Sequence, residues 1–154
     1  KDQILAGNDI GITDSQMTRF FISRAAAVDL CINACSQLIG GEIFVSDMGA
    51  TSIGKIASEF LKFNKEAKVN EIGPKPGEKF YEELFTDVES FRTYMSSGLY
   101  IVLPDCLEKD LKVYTQLRDQ YISGDPVSQP LRSNSPIAKK IDPAALVNEI
   151  MNET

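Results

Sequence analysis

Two stretches of the 154-residue chain place charged groups where they could hold an anion. In residues 13–21, TDSQMTRFF, the guanidinium of Arg19 stands between polar and aromatic neighbours. That group is always charged and presents a planar donor fork, which suits a phosphate in a partly enclosed cleft. Phe20 and Phe21 would lower local solvation and hold its stem, but by spacing alone a surface arginine beside a Phe-Phe core anchor is the better fit. In residues 72–84, IGPKPGEKFYEEL, Pro76-Gly77 suits the central positions of a type II turn. Such a turn would hold Lys75 and Glu78 together at the mouth of a helix expected over residues 78–85. There the cation could grip a phosphate and the carboxylate a ribose diol, beside free helix-terminal amides. An exposed turn whose Glu78 only caps the helix dipole, with Lys79, Glu82 and Glu83 as a solvated face, also fits.

Other chemistry is excluded by what the chain lacks. It has no histidine, so Ser–His and Cys–His nucleophile pairs and His-ligated zinc are ruled out. None of the five tyrosines has a lysine four residues after it, and no glycine run has the spacing of a dinucleotide or nucleotide cradle. Adjacent Glu82 and Glu83 would point about 100° apart on a helix and cannot face each other as an acid/base pair. Cys31, Cys35 and Cys106 are an odd number, which argues against a disulfide scaffold, and are expected to be buried thiols. A net charge of −6 makes the chain a poor nucleic-acid binder. No apolar run approaches ~18–20 residues and the amino terminus has no signal-peptide core, so a cytoplasmic protein with no membrane partner is expected.

The elements that must position these groups alternate between helices and short strands, a mixed α/β class. A short helical start and an extended piece around Ile10 and Ile12 precede a helix over residues 25–38, stopped by Gly40-Gly41. A strand at residues 42–45 leads to a helix capped by Thr51 or Ser52 and carrying Ile53, Ile56, Ala57, Phe60 and Leu61. Residues 67–72 read as a strand. Thr86-Asp87-Val88-Glu89 fits a capping box and starts a helix through about Tyr94. Residues 99–103 form a strand, and a longer helix carries Leu107, Leu111, Tyr114, Leu117 and Tyr121 on one face. Residues 123–140, with three prolines and four serines, read as loop or tail, and Asp142-Pro143 opens a last helix. The expected division is a domain over residues 1–122 and a loop-plus-helix tail over 123–154, which could pack on a neighbouring subunit.

Taken in order, TDSQMTRFF, GGEIFVSDMG and IGPKPGEKFYEEL resemble the carboxy-terminal part of the polysaccharide-biosynthesis nucleotide-sugar dehydratases and epimerases, within the extended short-chain dehydrogenase family. UDP-N-acetylglucosamine 4,6-dehydratases and their 5-inverting relatives are the nearest in pattern. The likeness continues more faintly through residues 99–104 and Ser133-Asn134-Ser135 to Leu146. It implies a small mixed substrate-binding domain with the Rossmann half absent, hence a fragment inactive alone. NAD(P) and the catalytic residues would belong to that absent half, and no cofactor is expected in this chain.

The resemblance also assigns roles. Arg19 is the arginine of the family's TRF block and would grip the diphosphate of a UDP-sugar. Lys75 stands where the second phosphate arginine is usual, offering a point charge in place of a bidentate fork. Glu78 is the glutamate suited to the uridine ribose. The implied partners are a UDP-sugar, the missing Rossmann domain and further copies in a homo-oligomer. The competing reading is a free-standing binding or interaction module that keeps the fold without catalysis. Under the first reading, apolar surface should be exposed where the absent half would sit, with self-association or a loose segment near residues 1–25.

Overall fold

The computed structural model describes residues 1–105 and 111–152. Its contacts gather the chain into two compact units, Lys1–Phe21, Gly49–Glu82 and Arg132–Thr154 in one, Ile22–Met48 and Glu83–Leu131 in the other. Neither unit has a boundary at residues 122–123.

The first unit begins with α1 (Asp2–Leu5) and β1 (Ile10–Ile12), which pairs in parallel with β5 (Val69–Glu71). A second pair is antiparallel: β2 (Thr18–Phe21) lies against β4 (Gly49–Ser52), with Arg19 opposite Thr51. Neither β2 nor β4 is legible as a strand in the sequence. β4 runs directly into α3 (Ile53–Phe60), whose cap is Ser52, its side chain accepting from the Lys55 amide. Burial of the adjacent Ile56 and Ala57 falls on the expected stripe, and Ile56 packs with Leu146 and Val147 of α6 (Pro143–Asn152). Asp142 caps α6 by accepting from the Ala144 amide at 3.0 Å, as the Asp-Pro start predicts.

Two expectations fail in this unit. Residues 78–82 form no helix, because their backbone groups are engaged across the chain: Phe80 carbonyl accepts from Thr18 N and Glu82 N donates to Ser133 Oγ. Nor is the tail pure surface, since Ser133 and Ala138 are buried and Ala50 N donates to the Lys139 carbonyl.

In the second unit α2 (Arg24–Gln37) is capped by Ser23. A three-stranded antiparallel sheet follows in the order β3 (Ile43–Ser46), β7 (Leu99–Val102), β6 (Thr93–Ser96). Ser97 and Gly98, at φ +50° and +79°, make the two-residue turn between β6 and β7. The helix from Thr86 therefore stops early: α4 spans Asp87–Ser90, and Tyr94 lies in a strand. Ile101, Leu103, Leu117 and Tyr121 form the core, the last two from α5 (Leu111–Tyr121). Leu131 is also buried, and its carbonyl accepts from Leu84 N, which keeps residues 83–85 from continuing as a helix. Leu107 and Cys106 lie outside the described residues. Cys31 and Cys35 are exposed rather than buried, because they sit on the water-facing side of α2.

The capping box at α4 is complete. Glu89 Oε2 accepts from the Thr86 amide and hydroxyl, both at 2.8 Å, and Thr86 Oγ1 accepts from the Glu89 amide at 3.3 Å. Those bonds, the backbone one foremost, hold the Glu89 carboxyl below its ordinary value of 4.5. Its stabilisation is thus full above about that unfolded value and fades as pH falls through the lower folded one. Thr86→Ala should cost about 1 kcal/mol in urea unfolding at neutral pH. The gap between the two proteins should narrow at acid pH; a gap that widens on acidification would contradict the assignment.

Candidate functional site

The residues singled out by type and spacing converge on one edge of the first unit. β2 carries Arg19 outward between Thr18 and Phe20, and the turn after β5 brings the second stretch to it. That turn forms as its residues dictate: Glu78 N donates to the Lys75 carbonyl at 3.0 Å, and Gly77 takes φ +84°, a conformation open to glycine.

The Arg19 guanidinium is well furnished. Nη1 donates to the Thr18 carbonyl at 2.8 Å and Nη2 to the Lys79 carbonyl at 2.9 Å. Glu78 Oε1 lies 3.7 Å from Nη2, and Glu82 Oε1 lies 3.8 Å from Nε. These pairs are partly wet, with Arg19 21% and Glu78 28% exposed, so as ion pairs they stabilise the fold little. Their effect is orientation: the fork is fixed in plane, between two carboxylates.

Glu78 is held from three sides. It accepts from Thr13 Oγ1 at 3.3 Å and from the Lys75 amide at 3.1 Å, besides pairing with Arg19. The structure thus brings Arg19 and Glu78 together and ties Lys75 to them through its backbone. The Lys75 side chain is exposed, and no hydrogen bond or ion pair of its ammonium is seen among the described residues. Reading the sequence missed Glu82, taken as part of a solvated face. Only the β2–β4 pairing and the cross-chain bond of Glu82 N to Ser133 Oγ put its carboxylate beside Arg19.

A cavity of about 230 Å³ in the same unit is lined by Thr18, Ser52, Lys55, Ser133 and Lys140. None of the three expected residues lines it; Arg19, Glu78 and Glu82 are instead partly exposed to solvent. Among the described residues, the β4–α3 junction offers no cradle for a pyrophosphate. β4 enters α3 with no intervening glycine turn, and the Ile53 and Gly54 amides that a pyrophosphate would need are taken by the Met17 and Ser15 carbonyls.

A mixed α/β segment with a guanidinium, a carboxylate and a Pro-Gly turn at one edge is the class of object defined so far. Residues 1–104 match the family described as "Polysaccharide biosynthesis protein", and the chain belongs to that family. Among curated proteins, it is 32% identical over 112 residues to an uncharacterized membrane protein of Methanocaldococcus jannaschii, a match covering 68% of this chain and 34% of that protein. It is 34% identical over 94 residues to the capsular polysaccharide biosynthesis protein CapD of Staphylococcus aureus, covering 58% of this chain and 16% of that one. The UDP-glucose 4-epimerase of Rickettsia akari is 32% identical over 105 residues, covering 68% and 31%. Among solved structures, Pen from Bacillus thuringiensis superposes with a TM-score of 0.77 at 27% identity, over 99% of this chain and 43% of that one. The matched region therefore spans about a third or less of these curated relatives. Among the described residues, no helix is long and apolar enough to cross a membrane.

Proposed function

We propose that this segment is the nucleotide-sugar-binding part of an epimerase or dehydratase that acts on a UDP-N-acetylhexosamine for polysaccharide biosynthesis in the cytoplasm. The observation that carries the reading is the Arg19–Glu78 pair at the Pro76-Gly77 turn, 3.7 Å apart although 59 residues separate them in sequence. Relatives named as a capsular polysaccharide biosynthesis protein and a UDP-glucose 4-epimerase support it.

In this reading the chain holds and the companion half reacts. NAD(P), bound by that half, supplies the redox chemistry at the sugar. Here Arg19 trades its carboxylate neighbours for the diphosphate oxygens, charge-assisted contacts that the fork can make in pairs. Lys75, already exposed, closes over the same charge. Glu78, fixed by Thr13 and the Lys75 amide, accepts from the ribose hydroxyls. Binding energy from this remote nucleotide end holds the sugar in register, which is how a group far from the reacting carbon raises the rate.

The ribose contact gives the test. In the longer protein carrying this segment, 2′-deoxy-UDP should bind on the order of tenfold more weakly than UDP, the worth of a hydrogen bond to a charged acceptor. Glu78→Gln should erase most of that difference. Equal affinity for the two nucleotides in the unaltered protein would refute the role given to Glu78.

A further inference from the structure

We propose that the water-facing side of α2 is the surface on which the companion half of the longer protein docks; this rests on the reading under Proposed function. α2 is 14 residues long and none of them is buried. Ala27, Leu30 and Ala34 form its half-buried side, and the helix contacts β3. Offset from that side lie Val28, Cys31, Ile32, Cys35 and, at the C-cap, Leu38, each with another of the set three or four residues away, the spacing of a helix-packing seam.

All five face water. Val28 is 57% exposed, Ile32 62% and Leu38 57%, and both cysteines are exposed. The seam itself contains no charged side chain. Single exposed aliphatics are ordinary, but a contiguous run of them marks a surface that something covers. Uncharged and made of short side chains, it has the composition of an interface centre, not of a polar rim.

The lengths of the relatives identify the occupant. This chain matches Pen over 99% of its own length but only 43% of that protein, and it covers still smaller shares of the curated relatives. Most of such a protein lies outside this segment and must meet it somewhere apolar. A second copy fits less well. A 14-residue helix is about 21 Å long and 10 Å across, so self-pairing along it buries on the order of 200 Å² per partner. A stable dimer needs roughly 800 Å². Exposed apolar surface of the kind a companion half would cover is thus present on α2.

The two seam cysteines report their own cover. In a Cys106→Ser background, the 154-residue chain should react with dithionitrobenzoate nearly as fast as its unfolded form. In the longer protein Cys31 and Cys35 should react more slowly, by on the order of tenfold or more. Ile32→Glu should restore fast labelling in the longer protein while leaving the melting of the short chain unchanged, since that side chain already lies in water. Equal labelling rates in the two proteins overturn the proposal, as does a gene in which no segment precedes this one. Protection that grows with concentration in the short chain, together with a dimer mass in sedimentation, overturns it in favour of a second copy. UDP binding measured on the same samples separates the two readings. Exposed cysteines with intact UDP binding remove only the docking face, and protected cysteines without UDP binding remove only the nucleotide site.

Discussion

Arg19→Ala should weaken UDP binding by the longer protein by on the order of 30- to 100-fold, the loss of charge-assisted contacts worth about 2–3 kcal/mol. The fold should barely notice. The Arg19 pairs are partly exposed, and removing the guanidinium leaves Glu78 still held by Thr13 and the Lys75 amide. Arg19→Lys should fall between, because a point charge replaces the fork. Glu82→Gln should act in the other direction, strengthening UDP binding a few-fold by removing a carboxylate that lies 3.8 Å from Arg19 Nε and competes with phosphate for it. Titration calorimetry on the four proteins, with thermal melts alongside, checks the whole pattern. Equal affinity in Arg19→Ala and the parent would remove the phosphate role.

Glu42→Ala should cost about 3 kcal/mol of stability, the largest effect expected outside the apolar core. This carboxylate is only 7% exposed, and its two oxygens accept from the Ile39 amide at 2.6 Å and the Gly40 amide at 2.7 Å. It thereby ties the end of α2 to the start of β3, across the bend at Gly40-Gly41. Tyr121 lies against it, its hydroxyl donating to the Gln37 carbonyl at 2.6 Å and standing 3.3 Å from Glu42 Oε1. Burial, then the Glu42 charge, push the Tyr121 phenol above its ordinary value. Alanine leaves two poorly hydrated amides without an acceptor, the expensive way to lose a hydrogen bond. Glu42→Gln restores one acceptor and turns an N–H toward a donor, so it should recover less than half of the loss. The midpoint of urea unfolding, at unchanged slope, measures both. A loss under about 1 kcal/mol in Glu42→Ala would show that water replaces the carboxylate.

What the sequence made legible was local. The capping box at Thr86–Glu89, the Ser52 and Asp142 caps and the Pro76-Gly77 turn are each specified within four residues, and each forms. The strands at Ile43–Ser46 and Leu99–Val102 were legible because both are short runs of β-formers. β2 and β4 were not, since Thr18–Phe21 and Gly49–Ser52 become strands only by pairing with each other. Residues 78–85 show the converse: a helix-favouring Glu-rich run loses to bonds with Thr18, Leu131 and Ser133, each contained within its own unit. α2 misleads for another reason. It carries apolar residues on two adjacent sides, so periodicity alone could not say which side is covered, and Cys31 and Cys35 were placed inside.

The candidate site divides the same way. Arg19, Lys75 and Glu78 could be named from residue type, turn chemistry and family resemblance. That Arg19 and Glu78 touch is a tertiary fact, set by strand pairing and the course of the chain after β5. Glu82 carried no signal of its own, because its role depends on a bond to Ser133, 51 residues away.

The most direct measurement is an amide and guanidinium chemical-shift titration of the isotope-labelled 154-residue chain with UDP. Shifts should concentrate at the Arg19 side chain, the Gly77 and Glu78 amides and Thr13, saturating with a dissociation constant on the order of 1 mM or tighter, about −4 kcal/mol. Perturbations confined to other residues, or none at tenfold that concentration, would contradict the claim that this edge clasps the nucleotide.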